Sequence, residues 1–109
     1  MVIRQFLGGF EELVLLAIMK LGANAYGVPI SEAIEEATGK RVSTGALYTT
    51  LQRLEEKGFI SSKMGEATPE RGGRAKKYFA IEVGGRQALK SSKEVRATFI
   101  KGTDLGYSS

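Results

Sequence analysis

A mainly α fold carrying one small antiparallel sheet is predicted for this 109-residue chain by three features of its sequence. Three apolar stretches with helical spacing follow one another, separated by short glycine-bearing turns. Two segments rich in aromatic, β-branched and hydroxyl residues come next, around a polar loop too long for a tight hairpin. A last stretch of helical period closes the pattern with a thin apolar seam. That order is the winged helix-turn-helix arrangement: an α+β fold with a three-helix core, a two-stranded β-wing and a C-terminal dimerisation helix. The corresponding domain organisation is residues 1–81 for the winged helix with an N-terminal arm, 82–101 for the dimerisation helix and 102–109 for a loose tail.

Composition narrows the function classes. A chain of this size buries only about 60 to 70% of the surface that its unfolded form exposes, so a single copy is marginal and pairing is expected. The sequence has 0 Cys, 0 His and 0 Trp. Disulfides, thiolate nucleophiles, imidazole acid–base chemistry and Cys/His zinc sites are thereby excluded. No catalytic constellation of carboxylates and hydroxyls stands out, so neither an enzyme, a metal site nor a cofactor is expected. The longest apolar run, residues 13–19, is far short of the roughly 20 residues a membrane span needs. Glu11 and Glu12 stand directly before it, where a signal peptide requires positive charge. A cytoplasmic protein without a membrane partner is the expectation.

The net charge is +4, and it is unevenly spread: −1 over residues 1–42, +1 over 43–64, +2 over 65–81 and +2 over 82–109. The positive excess follows the candidate third helix, wing and tail, as a phosphate-facing surface requires. A basic protein with no such surface is the plainer alternative.

The first helix is predicted from residue 9 or 10 to residue 20. Phe10, Leu13, Val14, Ala17, Ile18 and Leu21 form its apolar stripe, and Leu15, Leu16 and Met19 make the other face apolar as well. A short helix apolar nearly all round is covered on two sides, the second by another subunit or by the last helix of the same chain. Phe6 and Leu7, ahead of the Gly8-Gly9 break, form a candidate arm onto a partner. The second helix begins no earlier than Ala25, because Pro29 is tolerated only in a first turn. Its buried side carries Ile30, Ala33, Ile34 and Ala37, with Glu32, Glu35 and Glu36 on the solvated side and Gly39 as terminator. Tyr26 either touches a DNA backbone or fills the junction between helices 1 and 3, and the packing role is preferred.

Residues 43–60 are the stretch around which the chain is arranged. Ser43 is an N-cap and Gly58 a left-handed terminator. Leu47, Leu51 and Leu54 share one stripe; Gly45, Thr49, Gln52 and Glu56 lie opposite, with Thr44, Tyr48 and Arg53 on the flanks. No acid occurs from residue 37 to 54 and hydroxyls crowd the front half, although the helix dipole favours acids there. An end that approaches phosphates and bases has that character; so, by chance, does an ordinary amphipathic helix. Residues 59–64 and 76–81 are the predicted strands. The loop 65–75 between them is the wing, where Arg71 and Arg74 frame two glycines and Lys76 and Lys77 follow at the base. Arginine on such a loop reads minor-groove width and potential; charges on a hairpin edge also deter sheet aggregation. The last helix should start after Ile81 and run to about residue 100. Two glycines and the absence of a standard cap predict a frayed start.

A family resemblance is carried by E-L-V-L-L-A-I-M-K-L-G at 12–22, Y-G-V-P-I at 26–30, S-T-G-A-L-Y-T-T-L-Q-R-L-E-E-K-G-F-I at 43–60 and R-G-G-R-A-K-K-Y-F-A-I at 71–81. With these the chain resembles the PadR family of bacterial transcriptional regulators across roughly residues 9–89. The resemblance implies a winged helix-turn-helix that binds operator DNA as a dimer, mostly as a repressor. Two departures stand out. Thr49 replaces the family's proline, which bears on base preference rather than fold, and Glu82 replaces a capping threonine.

The resulting expectation is a homodimer bound to double-stranded DNA. Ser43, Thr44, Gly45, Tyr48, Thr49 and Gln52 would face the major groove, and Lys40, Arg41, Arg53, Arg71, Arg74, Lys76 and Lys77 would contact phosphates, Arg74 reaching towards the minor groove. Phe6, Leu7, Phe10, Leu15, Met19, Leu89, Val95, Phe99 and Ile100 would form the dimer interface. Some members of the family bind small hydrophobic compounds between subunits; the resemblance transfers no ligand site to this chain, and a cavity bounded by Leu15, Met19, Val95 and Phe99 is the place considered for such an effector. The alternative function is a winged-helix protein-interaction module without specific DNA readout.

Overall fold

The computed structural model describes residues 7–65 and 75–103; Phe6, Arg71, Arg74 and residues 104–109 lie outside the described residues. Helix α1 (Gly9–Leu21) begins after an extended Gly8, whose backbone N–H donates to Glu11 Oε1 at 2.9 Å. That bond satisfies one of the donors a helix start leaves open. A 3-10 turn at Gly22–Asn24 leads to α2 (Gly27–Thr38), which holds Pro29 in its first turn and stops at Gly39 with φ 72°.

Helix α3 (Thr44–Glu56) has both predicted ends. Ser43 Oγ accepts the Ala46 N–H at 3.1 Å. At the other end Gly58 has φ 78°, its N–H donates to the Glu55 carbonyl at 3.0 Å, and the Phe59 N–H donates to the Leu54 carbonyl at 2.9 Å. This paired closure satisfies the last carbonyls and turns the chain sharply into strand β1 (Ile60–Met64). Strand β2 (Lys77–Ile81) pairs with it antiparallel, Ile60 opposite Ile81 and Met64 opposite Lys77. Each strand is one residue shorter than predicted: Phe59 belongs to the helix-ending turn, and Lys76 precedes the strand. Helix α4 (Val83–Ile100) completes the order.

One apolar core joins these elements. Val14, Leu15, Ala17 and Ile18 of α1 meet Ile30 and Ile34 of α2, Leu47, Leu51 and Leu54 of α3, Ile60 of β1 and Phe79 of β2. The sheet is also tied to the start of α2, because the Phe79 N–H donates to the Ala25 carbonyl at 2.8 Å and Tyr26 bridges Tyr78. Two interface expectations are corrected by this packing. Leu15 is fully buried and Leu7 is buried within the same core, so neither is available to a second chain. Leu15 is covered by its own chain's elements, and Leu7, just ahead of α1, folds onto the same core instead of reaching outward as an arm. Phe10 and Leu89 are half-buried against the same core.

Helix α4, whose thin apolar seam predicts packing on helix 1 of a second copy, is joined to α1 of its own chain. Glu12 Oε2 accepts from Ser92 Oγ at 3.2 Å and from Arg96 Nε at 3.1 Å. The glycines at its start, read as a source of fraying, have a packing reason. A Cβ on Gly85 would collide with the Phe59 carbonyl oxygen, and one on Gly84 would come within 3.3 Å of the Gly58 carbonyl. Helix α4 therefore sits on the turn that ends α3. Glu82 makes no side-chain cap and instead accepts from Ser61 Oγ at 2.8 Å.

Candidate nucleic-acid interface

The leading half of α3 projects from the core as one polar surface. Leu47, Leu51 and Leu54 hold the inner face, and Thr44, Gly45, Tyr48, Thr49 and Gln52 are exposed on the outer one. The adjacent threonines divide the work: Thr50 is buried at 8% exposure while Thr49 faces out. Tyr48 is 46% exposed, yet its hydroxyl lies over Gly27, where any Cβ would collide with it. Its ring therefore links the outer face of α3 to the first turn of α2.

The connection between α2 and α3 is held by side chains rather than by core contacts alone. Glu35 Oε2 accepts the Val42 N–H at 2.7 Å, and Thr38 Oγ1 accepts the Lys40 N–H at 3.2 Å. Glu35 is thus a turn ligand and not the purely solvated acid that helical spacing predicts. The turn it fixes presents Lys40 and Arg41, both exposed, just ahead of the Ser43 cap.

The remaining predicted cations are less uniform. Arg53 is exposed near the back of α3, and its charge acts on Glu11 of α1. Burial raises the Glu11 pKa, but the Lys57 ammonium at 2.8 Å, the Gly8 N–H and the Arg53 charge together outweigh it, and the carboxyl is held below its ordinary 4.5. Lys77 is exposed and lies 3.9 Å from Glu55, which also accepts from Ser62 Oγ at 2.7 Å. Lys76 is half-buried, its ammonium 4.4 Å from the centre of the Tyr26 ring and 3.4 Å from the Tyr26 hydroxyl. Tyr26 in turn meets Tyr78 edge-on, ring centres 5.3 Å apart at 63°. Tyr26 does pack, but against Tyr78 and Lys76 beside the sheet rather than in the expected junction between helices 1 and 3.

Sequence reading missed the part of α2 that borders this surface. Val28, Ser31 and Glu32 line a groove of about 190 Å³ together with Thr44, Leu47 and Tyr48. The period marked Glu32 as solvated but gave no sign that it borders α3. Leu15, expected to line an effector cavity between subunits, is instead sealed in the core of its own chain. Among the described residues no group of acids or other ligands could hold a metal, and no helix is long and apolar enough to cross a membrane.

The sequence model of the PadR-like transcriptional regulator family matches residues 15–91. No curated protein matches the chain. Solved structures do resemble it. A transcriptional regulator from Clostridium thermocellum is 26% identical with a TM-score of 0.70, over 84% of this chain and 85% of that one. A PadR-like transcription factor from Bacteroides fragilis is 28% identical with a TM-score of 0.68, over 86% and 89%. RosR of H. salinarum, in the complex structure designated RosR-S1, is 25% identical with a TM-score of 0.67, over 89% and 79%. The family is one of transcriptional regulators and not of enzymes, and the winged helix with its four helices and two strands is the fold these structures share with the chain. The chain belongs to the PadR-like family of transcriptional regulators.

Proposed function

We propose that the protein is a dimeric, sequence-specific DNA-binding repressor that reads an inverted-repeat operator. Helix α3 enters the major groove with Ser43, Thr44, Gly45, Tyr48, Thr49 and Gln52, while Lys40, Arg41, Lys76, Lys77 and the wing arginines Arg71 and Arg74 neutralise phosphates or reach the minor groove. The observation that carries this reading is the outer face of α3. Its leading half is exposed and free of acids, and it is fixed to the core by buried leucines and closed by ordered hydrogen bonds at both ends.

Residues 1–81 form the DNA-binding unit on this reading, and α4 pairs the two copies. Leu16 and Met19 on α1, and Phe99 and Ile100 on α4, are large apolar side chains left exposed at 41 to 76% in the single chain. A second copy covering them is the arrangement that family membership and chain size support. A small hydrophobic effector would then lie between copies, against Met19, Val95 and Phe99.

The test is selection of duplexes from a random-sequence pool, followed by gel shifts of the recovered duplex and a scrambled one. Thr49→Ala should change which bases are preferred, whereas Lys77→Ala should weaken both duplexes alike. Equal losses on both duplexes for both variants would remove α3 from the role of reader.

A further inference from the structure

Lys76 was expected, with Lys77, to contact phosphates from the base of the wing, and its surroundings are specific. The ammonium rests against the face of Tyr26 at 4.4 Å from the ring centre, within 3.4 Å of the hydroxyl, and the residue is only half-exposed. The ring under it is fixed from two further directions. Tyr78 abuts it edge-on at 5.3 Å, and the backbone at residues 25–26 is joined to β2 by the Ala25–Phe79 hydrogen bond and the Tyr26–Tyr78 bridge. Gly65 closes the other side, donating its N–H to the Lys76 carbonyl at 2.7 Å, with a Cβ there excluded by the Tyr78 ring. The lysine thus stands at the point where the wing leaves the sheet, and the tyrosine supporting it belongs to the junction ahead of α2.

We propose that Tyr26 is a positioning residue for DNA binding: its ring holds the Lys76 ammonium in one place, so that this cation meets a backbone phosphate already oriented. The inference rests on the DNA-binding function proposed above and deepens it. A free lysine loses rotamer entropy when it is immobilised on a phosphate. One already stacked on an aromatic face loses less, and cation–π attraction leaves its outward N–H groups available as donors. Tyr26 also couples two surfaces, because its neighbour Gly27 carries the Tyr48 hydroxyl of α3. The fixed cation and the reading helix are therefore registered to one another through two adjacent residues.

The experiment compares Tyr26→Phe, Tyr26→Leu, Lys76→Gln and the Tyr26→Leu/Lys76→Gln double variant of the full chain. Three readouts are taken: affinity for the selected duplex and for a scrambled duplex over a range of salt, thermal stability, and the NMR shifts of the Lys76 ε-methylene protons without DNA. Lys76→Gln should lower the salt slope by about one per subunit on either duplex. Tyr26→Phe should keep that slope and the upfield ring-current shift of the lysine. Tyr26→Leu should lose the upfield shift and most of the affinity that Lys76→Gln loses, and the double variant should be no weaker than Lys76→Gln alone. An unchanged slope in Lys76→Gln would make the lysine a structural strut and overturn the proposal. So would affinity losses that simply add in the double variant, or a Tyr26→Leu variant that binds normally once folded. Failure of the underlying function looks different: the unaltered protein would then recover no preferred duplex, whatever the lysine shifts show.

Discussion

Ser43 serves the helix and, on the proposed reading, the DNA with different parts of one hydroxyl. Its oxygen accepts the Ala46 N–H, while its O–H remains a donor at the tip of α3. These roles separate on substitution. Ser43→Ala should cost about 1 kcal/mol of stability through the lost cap. Ser43→Asp keeps a capping oxygen and suits the helix dipole, so its melting temperature should stay near that of the unaltered protein. Its carboxylate would nevertheless face the proposed phosphates, and DNA affinity should drop severalfold or more. Melting curves with gel shifts check both, and an Asp variant that binds DNA normally would take Ser43 out of the interface. Glu11 makes a second residue-scale prediction. Its folded pKa lies below the ordinary 4.5, so its contacts with Lys57 and the Gly8 N–H stabilise the fold above that value and are lost as pH falls through the depressed one. Glu11→Gln should therefore flatten the fall in stability below about pH 4.5, measured by urea unfolding across pH. An unchanged acid limb would mean that other carboxylates control it.

At the scale of elements, the contact between α4 and the end of α3 invites the clearest test. Gly85 lets the two approach, and a methyl group there meets the Phe59 carbonyl, which belongs to a backbone turn and cannot swing aside. Gly85→Ala should gain helix propensity yet lose about 1 to 3 kcal/mol by overpacking. A more stable variant in denaturant titration would show that the helix shifts freely. This glycine also marks the limit of what the chain discloses before its structure is seen. Helix ends, the leucine stripe of α3 and the two strands were legible because caps, left-handed glycines and periodicity are local signals. Ser43, Gly39 and Gly58 are where those signals put them. The polar front of α3 was legible for the same reason. Contacts between distant segments were not. Nothing in the spacing pairs Lys76 with Tyr26, fifty positions earlier, turns Glu35 towards the Val42 N–H, or reveals that Gly85 is a contact rather than a weakness. Leu15 and Leu7 were misassigned because an apolar residue bears no sign of which body covers it.

For the whole molecule, the proposed dimer raises the question of how two copies would acquire affinity that one lacks. The described part of one chain leaves Leu16, Met19, Phe99 and Ile100 exposed, and burying about 100 Å² of apolar surface contributes roughly 2.5 kcal/mol. Replacing Phe99, 76% exposed in the single chain, by glutamate forces a charge into the proposed interface. It disturbs nothing in the core, which does not include Phe99. Phe99→Glu should therefore keep its secondary structure and sediment as a monomer. If each subunit makes about four charged phosphate contacts, the dimer's log affinity should fall with log salt at a slope of roughly −7, and the monomer's at about half that. The monomer should also bind far more weakly, since the second half-site is no longer held at high effective concentration. Footprints of the unaltered protein should show half-site centres about 34 to 36 Å apart or a multiple of that, the spacing at which two recognition helices related by a two-fold axis meet the same face of a duplex. A Phe99→Glu protein that still sediments as a dimer would move the interface elsewhere on the surface. A monomer that keeps the full salt slope would mean that a single subunit makes all the phosphate contacts, and the two-fold operator would go with it.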